Sequence, residues 1–181
     1  MDEIFELLRK ANVKALLQVH TFVIEELRER NIVRSSNAPL GDYTEHVFKK
    51  AFGWSLENNA ASGHDAVDTE SGSRYQIKGR RITANNPSRQ LSFLRRLPER
   101  KFDFLAAALF NADYSIYKAA LVPHVLLEPR SRFSRSTNAW LFKLEDVVWT
   151  LPDVRDVTSE LTRIMQRPRR FWAWRPANRV S

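Results

Sequence analysis

The 181-residue chain contains no cysteine. This absence excludes disulfide bridges, thiolate metal ligands and cysteine nucleophiles. The sequence also lacks any stretch approaching the ~18 consecutive apolar residues that a membrane helix needs. Its start, MDEIFELLRK, is acidic and amphipathic, which is not typical of a secretory signal. We therefore expect a cytoplasmic protein with no membrane partner, folded as one compact domain with an added arm.

Acidic residues are in deficit, because 21 Asp and Glu stand against 29 Lys and Arg, a net charge of +8. Such a surplus favours a polyanionic partner, with nucleic acid ahead of a membrane surface. Composition alone leaves this interpretation about even with a soluble protein that is basic for other reasons. Arginines in the later loops, spaced among polar amides and serines, are candidate contacts to DNA phosphates and base edges. They are Arg80, Arg81, Arg89, Arg95, Arg96, Arg130, Arg132 and Arg135.

Hydrophobic periodicity divides the chain into three regions. Residues 1–36 predict a helical arm packed on the core, with a break at Asn12 and an apolar stripe along its length. Residues 37–166 predict an α/β core, and residues 167–181 form a basic tail in which arginines alternate with aromatics. Such a tail suits binding to nucleic acid through arginines and stacked aromatics. The alternative is that its tryptophans dock on this domain or on a partner subunit. The arm and the tail are both candidate contacts for a homodimer.

The core sequence predicts one helix followed by two hairpins. The helix begins near Gly41 or Asp42 and ends at Gly53, which favours a left-handed cap. The first predicted hairpin spans residues 63–81, and the second spans residues 102–122. Because the second hairpin is apolar almost throughout, we expect it at the centre of the sheet, buried on both faces.

The C-terminal part of the core predicts less regular structure. Residues 129–138 are expected to form a flexible basic loop, and residues 140–144 an edge strand. A final helix is predicted from Pro152 to Gln166, with the proline near its first turn.

The first hairpin carries an acid, an amide and a lysine. Asp65 lies in its first strand, and Gln76 and Lys78 lie two residues apart in its second strand. A turn centred on Ser71 and Gly72 would place Asp65 opposite Lys78, whereas a register shifted by two would place it opposite Gln76. In both registers the three side chains share one face, and a shift of one residue would separate them.

These residues supply the oxygen ligands that Mg²⁺ prefers. Asp65 offers a carboxylate, Gln76 an amide oxygen and Ile77 a backbone carbonyl between them. Glu45, at the border of the buried stripe of the preceding helix, would approach from the side. Lys78 would then polarise an attacking water or offset charge on a phosphate.

Two less specific interpretations stay open. Asp65 and Lys78 would also form an ordinary cross-strand ion pair on an exposed sheet face, with Glu45 unrelated to it, and such pairs contribute ~0–1 kcal/mol. His46 and His64 neighbour the two acids in sequence. A transition-metal site built on them is less well supported, because neither histidine belongs to a spaced metal-binding motif.

The order of Glu45 on a helix, Gly63-His64-Asp65 on a strand and Gln76-Ile77-Lys78 on the next strand resembles the PD-(D/E)XK nuclease superfamily. The resemblance covers about residues 37–150. It implies a restriction-endonuclease-like fold, a mixed central β-sheet flanked by helices. It also implies a DNA endonuclease dependent on Mg²⁺ or Mn²⁺, acting in bacterial restriction, defence or repair.

By this resemblance, Asp65 would be the metal-binding aspartate, Lys78 the catalytic lysine and Glu45 the acid on the first core helix. The chain departs from the motif at two positions, because His64 stands in place of the proline and Gln76 in place of the second acid. The loss of one negative charge weakens metal binding. It favours, as the alternative, a catalytically silent module of the same fold that binds nucleic acid or a protein partner.

Overall fold

The computed structural model describes residues 2–35, 38–57 and 63–166. The helices are α1 (Asp2–Lys10), α2 (Val13–Glu29), α3 (Leu40–Phe52) and α4 (Thr158–Gln166). The strands are β1 (Ser55–Leu56), β2 (Ala66–Val67), β3 (Arg74–Arg81), β4 (Phe104–Phe110), β5 (Ile116–Pro123), β6 (Arg132–Ser134), β7 (Ala139–Leu141) and β8 (Arg155–Asp156). The predicted tail, residues 167–181, lies outside the described residues.

The centre of the fold is a six-stranded mixed sheet with the order β1-β2-β3-β4-β5-β8. Strands β3 and β4 run parallel, and the other neighbouring pairs are antiparallel. The apolar hairpin β4–β5 is interior to the sheet, with residues 105–110 of β4 and 119–122 of β5 buried. The predicted mixed α/β class, with a mixed sheet and helices, is therefore confirmed.

Pairing within the first hairpin selects one of the two registers considered above. Ala66 lies opposite Tyr75, and the Asp65 N–H donates to the Tyr75 carbonyl at 2.8 Å. Val67 lies opposite Arg74, so the pairing is the one shifted by two, and it ends at Ala66, just after Asp65. Gln76 and Lys78 share one face of β3 because side chains alternate along a strand, and the Asp65 carboxylate lies close to both.

The sheet buries a different core on each of its two faces. On the α3 side, an aromatic stack runs through Phe48, Trp54 and Tyr75, with the Trp54 and Tyr75 ring centroids 3.7 Å apart. The opposite face is covered by the long connections on either side of β4–β5. Its buried side chains include Leu91, Leu94, Leu97, Phe102, Leu105, Leu109, Val122, Leu127, Phe142 and Leu144.

Helix α3 approaches strand β3 closely at one point. Gly79 faces the fully buried Thr44, and a Cβ at Gly79 would overlap Thr44 Oγ1 and lie 3.1 Å from Thr44 Cβ. Thr44 Oγ1 in turn donates to the Leu40 carbonyl at 2.6 Å. The helix ends as predicted, with Gly53 in a left-handed conformation at φ 75°. The next residue after Thr44, Glu45, is thereby brought to the edge of the sheet.

The N-terminal arm contributes little to the core. The predicted break is confirmed, since Asn12 caps α2 by accepting the Ala15 N–H at 2.9 Å. Helix α1 buries none of its residues, and contact with the core is concentrated at Ile24 and Val33. A homodimer through this arm stays a prediction. The stripe left exposed on α1 and α2 comprises Ile4, Phe5, Leu7, Val13, Leu16, Leu17, Val19, Phe22 and Val23.

The C-terminal part of the core differs from prediction in two places. Residues 132–134, expected in a flexible loop, form β6 and pair with β7 in a separate two-stranded sheet, so the segment near residue 140 is not an edge of the main sheet. Residues 155–156 take that edge as β8, which delays the last helix to Thr158. The predicted start at Pro152 is wrong because the chain turns at residues 151–153, with Asp153 at φ 62°, and then pairs with β5 before the helix begins. No helix among the described residues has the length and apolarity to cross a membrane.

We expect Gly79→Ala to destabilise the protein by about 1–3 kcal/mol, because the added methyl group has no space against Thr44. Chemical denaturation followed by circular dichroism measures this loss. Gly41→Ala is the matched control, since a Cβ at Gly41 meets nothing within 4 Å. Equal stability of the two variants would contradict the close approach of α3 to β3.

Candidate functional site

Asp65 is the hub of the candidate site. Its Oδ2 accepts a hydrogen bond from Gln76 Nε2 and another from the Ile77 N–H at 2.7 Å, and it lies 3.6 Å from Lys78 Nζ. All three groups belong to consecutive residues of β3. The structure therefore brings together the acid, amide and lysine that the sequence placed on one face.

The site lies where β2 and β3 separate. The described pairing of these strands covers Ala66 and Val67 with Tyr75 and Arg74. Beyond that point the N–H of Ile77, which a longer β2 would have paired, is taken by the Asp65 carboxylate instead. A side chain thus replaces backbone pairing at this fork, which leaves polar groups gathered at the edge of the sheet.

Glu45 reaches the same fork from α3. Its side chain is 14% exposed and forms an ion pair with the Arg34 guanidinium. Burial, followed by repulsion from Asp65, raises the pKa of Glu45 to about 7, although Arg34 and Lys78 act in the opposite direction. Asp65 and Lys78 thus both contribute to the electrostatic field at Glu45, which connects the helix acid with the hairpin groups.

Arg34 is a member of the site that the sequence did not reveal. Its Nη1 donates to the Glu57 carbonyl at 3.1 Å, and its backbone N–H donates to Asp42 Oδ2 at 2.8 Å. Asp42 lies in the first turn of α3 and accepts hydrogen bonds from the chain that precedes the helix. The usable sequence signal is the i, i+3 spacing of Asp42 and Glu45, which presents two acids on one helix face to a nearby cation.

The Gln76 side-chain amide and the Ile77 backbone are oriented differently from the predicted set of metal ligands. Gln76 presents its amide nitrogen to Asp65, so its oxygen becomes available as a ligand when the amide turns over. Ile77 presents its N–H to Asp65. The predicted ligand role of the Ile77 carbonyl stays a prediction.

The donor set fits a hard divalent cation. Glu45 and Asp65 offer carboxylates, and Gln76 offers an amide oxygen, the donors that Mg²⁺ takes while keeping several waters. Across residues 2–35, 38–57 and 63–166, no three His, Asp or Glu side chains gather as a metal-binding group. The alternative built on His46 and His64 is therefore not found among these residues.

The predicted DNA contacts nearest the site lie on the same strand. Arg80, on the face shared with Lys78, donates to the Ser88 carbonyl at 3.0 Å and to Asn86 Oδ1 at 2.7 Å. Arg81 lies on the opposite face, with its guanidinium 4.6 Å from the centre of the Tyr114 ring. Only Arg80 of these two therefore shares a face of β3 with Lys78, and its guanidinium is fixed by Ser88 and Asn86.

The remaining predicted contacts are dispersed. Arg89 is bound to Asp146 at 2.9 Å and to the Tyr117 hydroxyl at 3.0 Å, so a carboxylate offsets much of its charge. The others lie exposed on loops and on β6: Arg95, Arg96, Arg130, Arg132 and Arg135. The structure thus places only Arg80, among the predicted contacts that it describes, on the same face of β3 as Lys78, and it does not gather the rest around the site.

No known protein-family model matches the chain, and no curated protein shows significant sequence similarity to it. Function is therefore inferred from the chemistry of the fork between β2 and β3.

Titration of Glu45 should make stability depend on pH. A raised pKa means that the folded state holds the proton more tightly, so this contribution is full below pH 4.5 and is lost as pH rises through about 7. We expect the free energy of unfolding of the wild type, relative to Glu45→Gln, to fall by at most roughly 3 kcal/mol across this range.

Urea denaturation at several pH values and constant ionic strength, without divalent cations, measures the difference. Glu25→Gln, on the exposed surface of α2, serves as the control. Parallel pH profiles for the wild type and Glu45→Gln would show that the cluster does not perturb this carboxyl.

Proposed function

We propose that the protein is a Mg²⁺- or Mn²⁺-dependent DNA endonuclease of the PD-(D/E)XK type. The observation that supports this most is the meeting of Glu45, Asp65, Gln76 and Lys78 at one fork of the sheet. An ordinary exposed ion pair would involve Asp65 and Lys78 alone. It would give no reason for a half-buried acid to come from a helix to the same place.

The topology is compatible with a restriction-endonuclease-like core. An initial helix, α3, is followed by an antiparallel hairpin, β2–β3, whose second strand pairs in parallel with β4. The helix packs on the face of β3 opposite Lys78, and its Glu45 reaches round to the fork. This arrangement supports the finer fold assignment as a proposal.

The side chains have distinct roles in phosphodiester hydrolysis. Glu45, Asp65 and the Gln76 oxygen would hold the cation. When bound, a divalent cation supplies positive charge against the phosphate oxygens and makes water a stronger nucleophile at neutral pH. Lys78, with Nζ 3.6 Å from Asp65 Oδ2, would orient the attacking water and offset charge that develops on the phosphate.

The charge of the chain suits a DNA substrate. A net charge of +8 favours association with a polyanion. Arg80 lies two residues beyond Lys78 on the same face of β3, where it can contact a phosphate next to the one being cleaved. Restriction, defence and repair are the settings in which such an endonuclease would act.

One observation favours a second candidate, a catalytically silent module that binds nucleic acid or a protein. Both acids have protein partners, since Asp65 accepts from Gln76 and Ile77 and Glu45 binds Arg34. The glutamine also leaves one negative charge fewer than the motif provides. Salt-sensitive DNA binding with no cleavage in Mg²⁺ or Mn²⁺ would establish this candidate.

We expect Asp65→Ala and Lys78→Ala each to lower DNA cleavage at least about a hundredfold, because each removes a group placed at the reacting phosphate. Supercoiled plasmid and short duplexes incubated with Mg²⁺ or Mn²⁺ provide the assay. Glu70→Ala, in the exposed turn of the same hairpin, and Lys101→Ala are matched controls that should keep wild-type activity. Cleavage that survives both site substitutions would refute the assignment.

Gln76→Glu should make the protein depend more strongly on divalent cations. The change places a second carboxylate against Asp65, where the Gln76 amide now donates, so repulsion should lower the melting temperature in EDTA. Saturating Mg²⁺ should then raise the melting temperature more than it does for the wild type. Gln18→Glu, on the exposed surface of α2, is the control, and equal Mg²⁺ shifts in all three proteins would argue against a cation at this fork.

A further inference from the structure

Arg34 connects three parts of the chain at the candidate site. It follows α2 and precedes α3, its Nη2 binds Glu45, and its Nη1 donates to the Glu57 carbonyl just after β1 at 3.1 Å. Its backbone N–H donates to Asp42 Oδ2 at 2.8 Å. A guanidinium has five N–H donors in a fixed planar arrangement, which allows one side chain to hold several acceptors at defined positions.

Glu45 needs such a partner to stay at the fork. The Glu45 side chain is 14% exposed, and its carboxylate forms an ion pair with the Arg34 guanidinium. Arg34 is itself fixed by two contacts, from its backbone N–H to Asp42 Oδ2 and from its Nη1 to the Glu57 carbonyl. The ion pair therefore holds the Glu45 carboxylate from a position that α3 and the end of β1 define.

We propose that Arg34 is a positioning residue that holds the Glu45 carboxylate in place for a divalent cation at the fork. The proposal rests on the proposed metal-dependent function of the same site. Arg34 acts through Glu45 and touches neither the cation nor the reacting phosphate. Side chains that orient metal ligands in this way typically change metal affinity 10- to 100-fold when they are replaced.

The opposite role, competition between Arg34 and the cation for Glu45, makes an opposite prediction. A guanidinium that merely occupied the carboxylate would weaken cation binding, and its removal would tighten it. The anchoring of Arg34 by Asp42 and Glu57 favours the positioning role, since a competitor needs no contacts that fix it relative to β1 and α3.

Mn²⁺ binding, measured by electron paramagnetic resonance of the free ion, tests the proposal on the full chain. We expect Arg34→Gln to bind Mn²⁺ about tenfold more weakly than the wild type or worse. Arg34→Lys should lose less affinity, because the ammonium keeps the charge but not the planar set of donors. Arg30→Gln is the matched control, since Arg30 lies four residues earlier and pairs with Glu26 on the exposed surface of α2.

The kinetic signature separates positioning from a general loss of structure. Arg34→Gln should lower kcat for DNA cleavage while its DNA affinity in EDTA stays equal to that of Arg30→Gln, which removes the same charge. If Arg34→Gln does not fold, Arg34→Lys decides the matter, because a several-fold loss of Mn²⁺ affinity supports the proposal and wild-type affinity overturns it.

Asp65→Asn distinguishes failure of this proposal from failure of the proposed function. Mn²⁺ binding that depends on Asp65 but is unchanged or tighter in Arg34→Gln would overturn the positioning role and leave the metal site intact. A wild-type protein that shows neither Asp65-dependent Mn²⁺ binding nor cleavage would overturn both.

Discussion

Helix α3 lies directly on strand β3 because Gly79 has no side chain and Thr44 fills the space that one would need. This contact sets the distance between the helix and the sheet. It also fixes the rotation of the helix, since Thr44 must point at the strand. Glu45 follows by one position, so the same contact brings a carboxylate to the edge of the sheet. A larger residue at position 79 would move that acid away from Asp65 and separate the two halves of the site.

Local patterns in the sequence predict much of this arrangement. Side chains alternate along β3, so Gln76 and Lys78 lie on one face whatever the register. Gly53 marks the end of α3. The choice between two registers was beyond the pattern, because turn geometry decides it. Arg34 was missed since it lies in a loop, where no periodicity points to a partner. Strand β8 has two polar residues, and its pairing with β5 depends on tertiary contacts that its own sequence does not signal.

The electrostatics of the fork explain how two acids coexist there. Asp65 is surrounded by donors from β3. Glu45 is paired with Arg34, which acts against the rise in the Glu45 pKa that burial and Asp65 cause. Gln76 has a central place in this balance, because its amide can donate to Asp65 or, when turned over, offer an oxygen. An acid at that position would gain affinity for a cation but would raise repulsion in its absence. The glutamine therefore favours a site that is stable when empty and binds a cation more weakly.

The most direct test of the account is anomalous diffraction from crystals of the full chain soaked with Mn²⁺. The account predicts an anomalous peak within coordination distance of Asp65 and Glu45, about 2.0–2.3 Å from their carboxylate oxygens. It also predicts that the Gln76 amide has turned its oxygen toward the ion. Anomalous peaks from Mn²⁺ at full occupancy elsewhere on the molecule but none at Asp65, with the Asp65–Gln76 hydrogen bond unchanged, would contradict a metal-dependent site at the fork between β2 and β3.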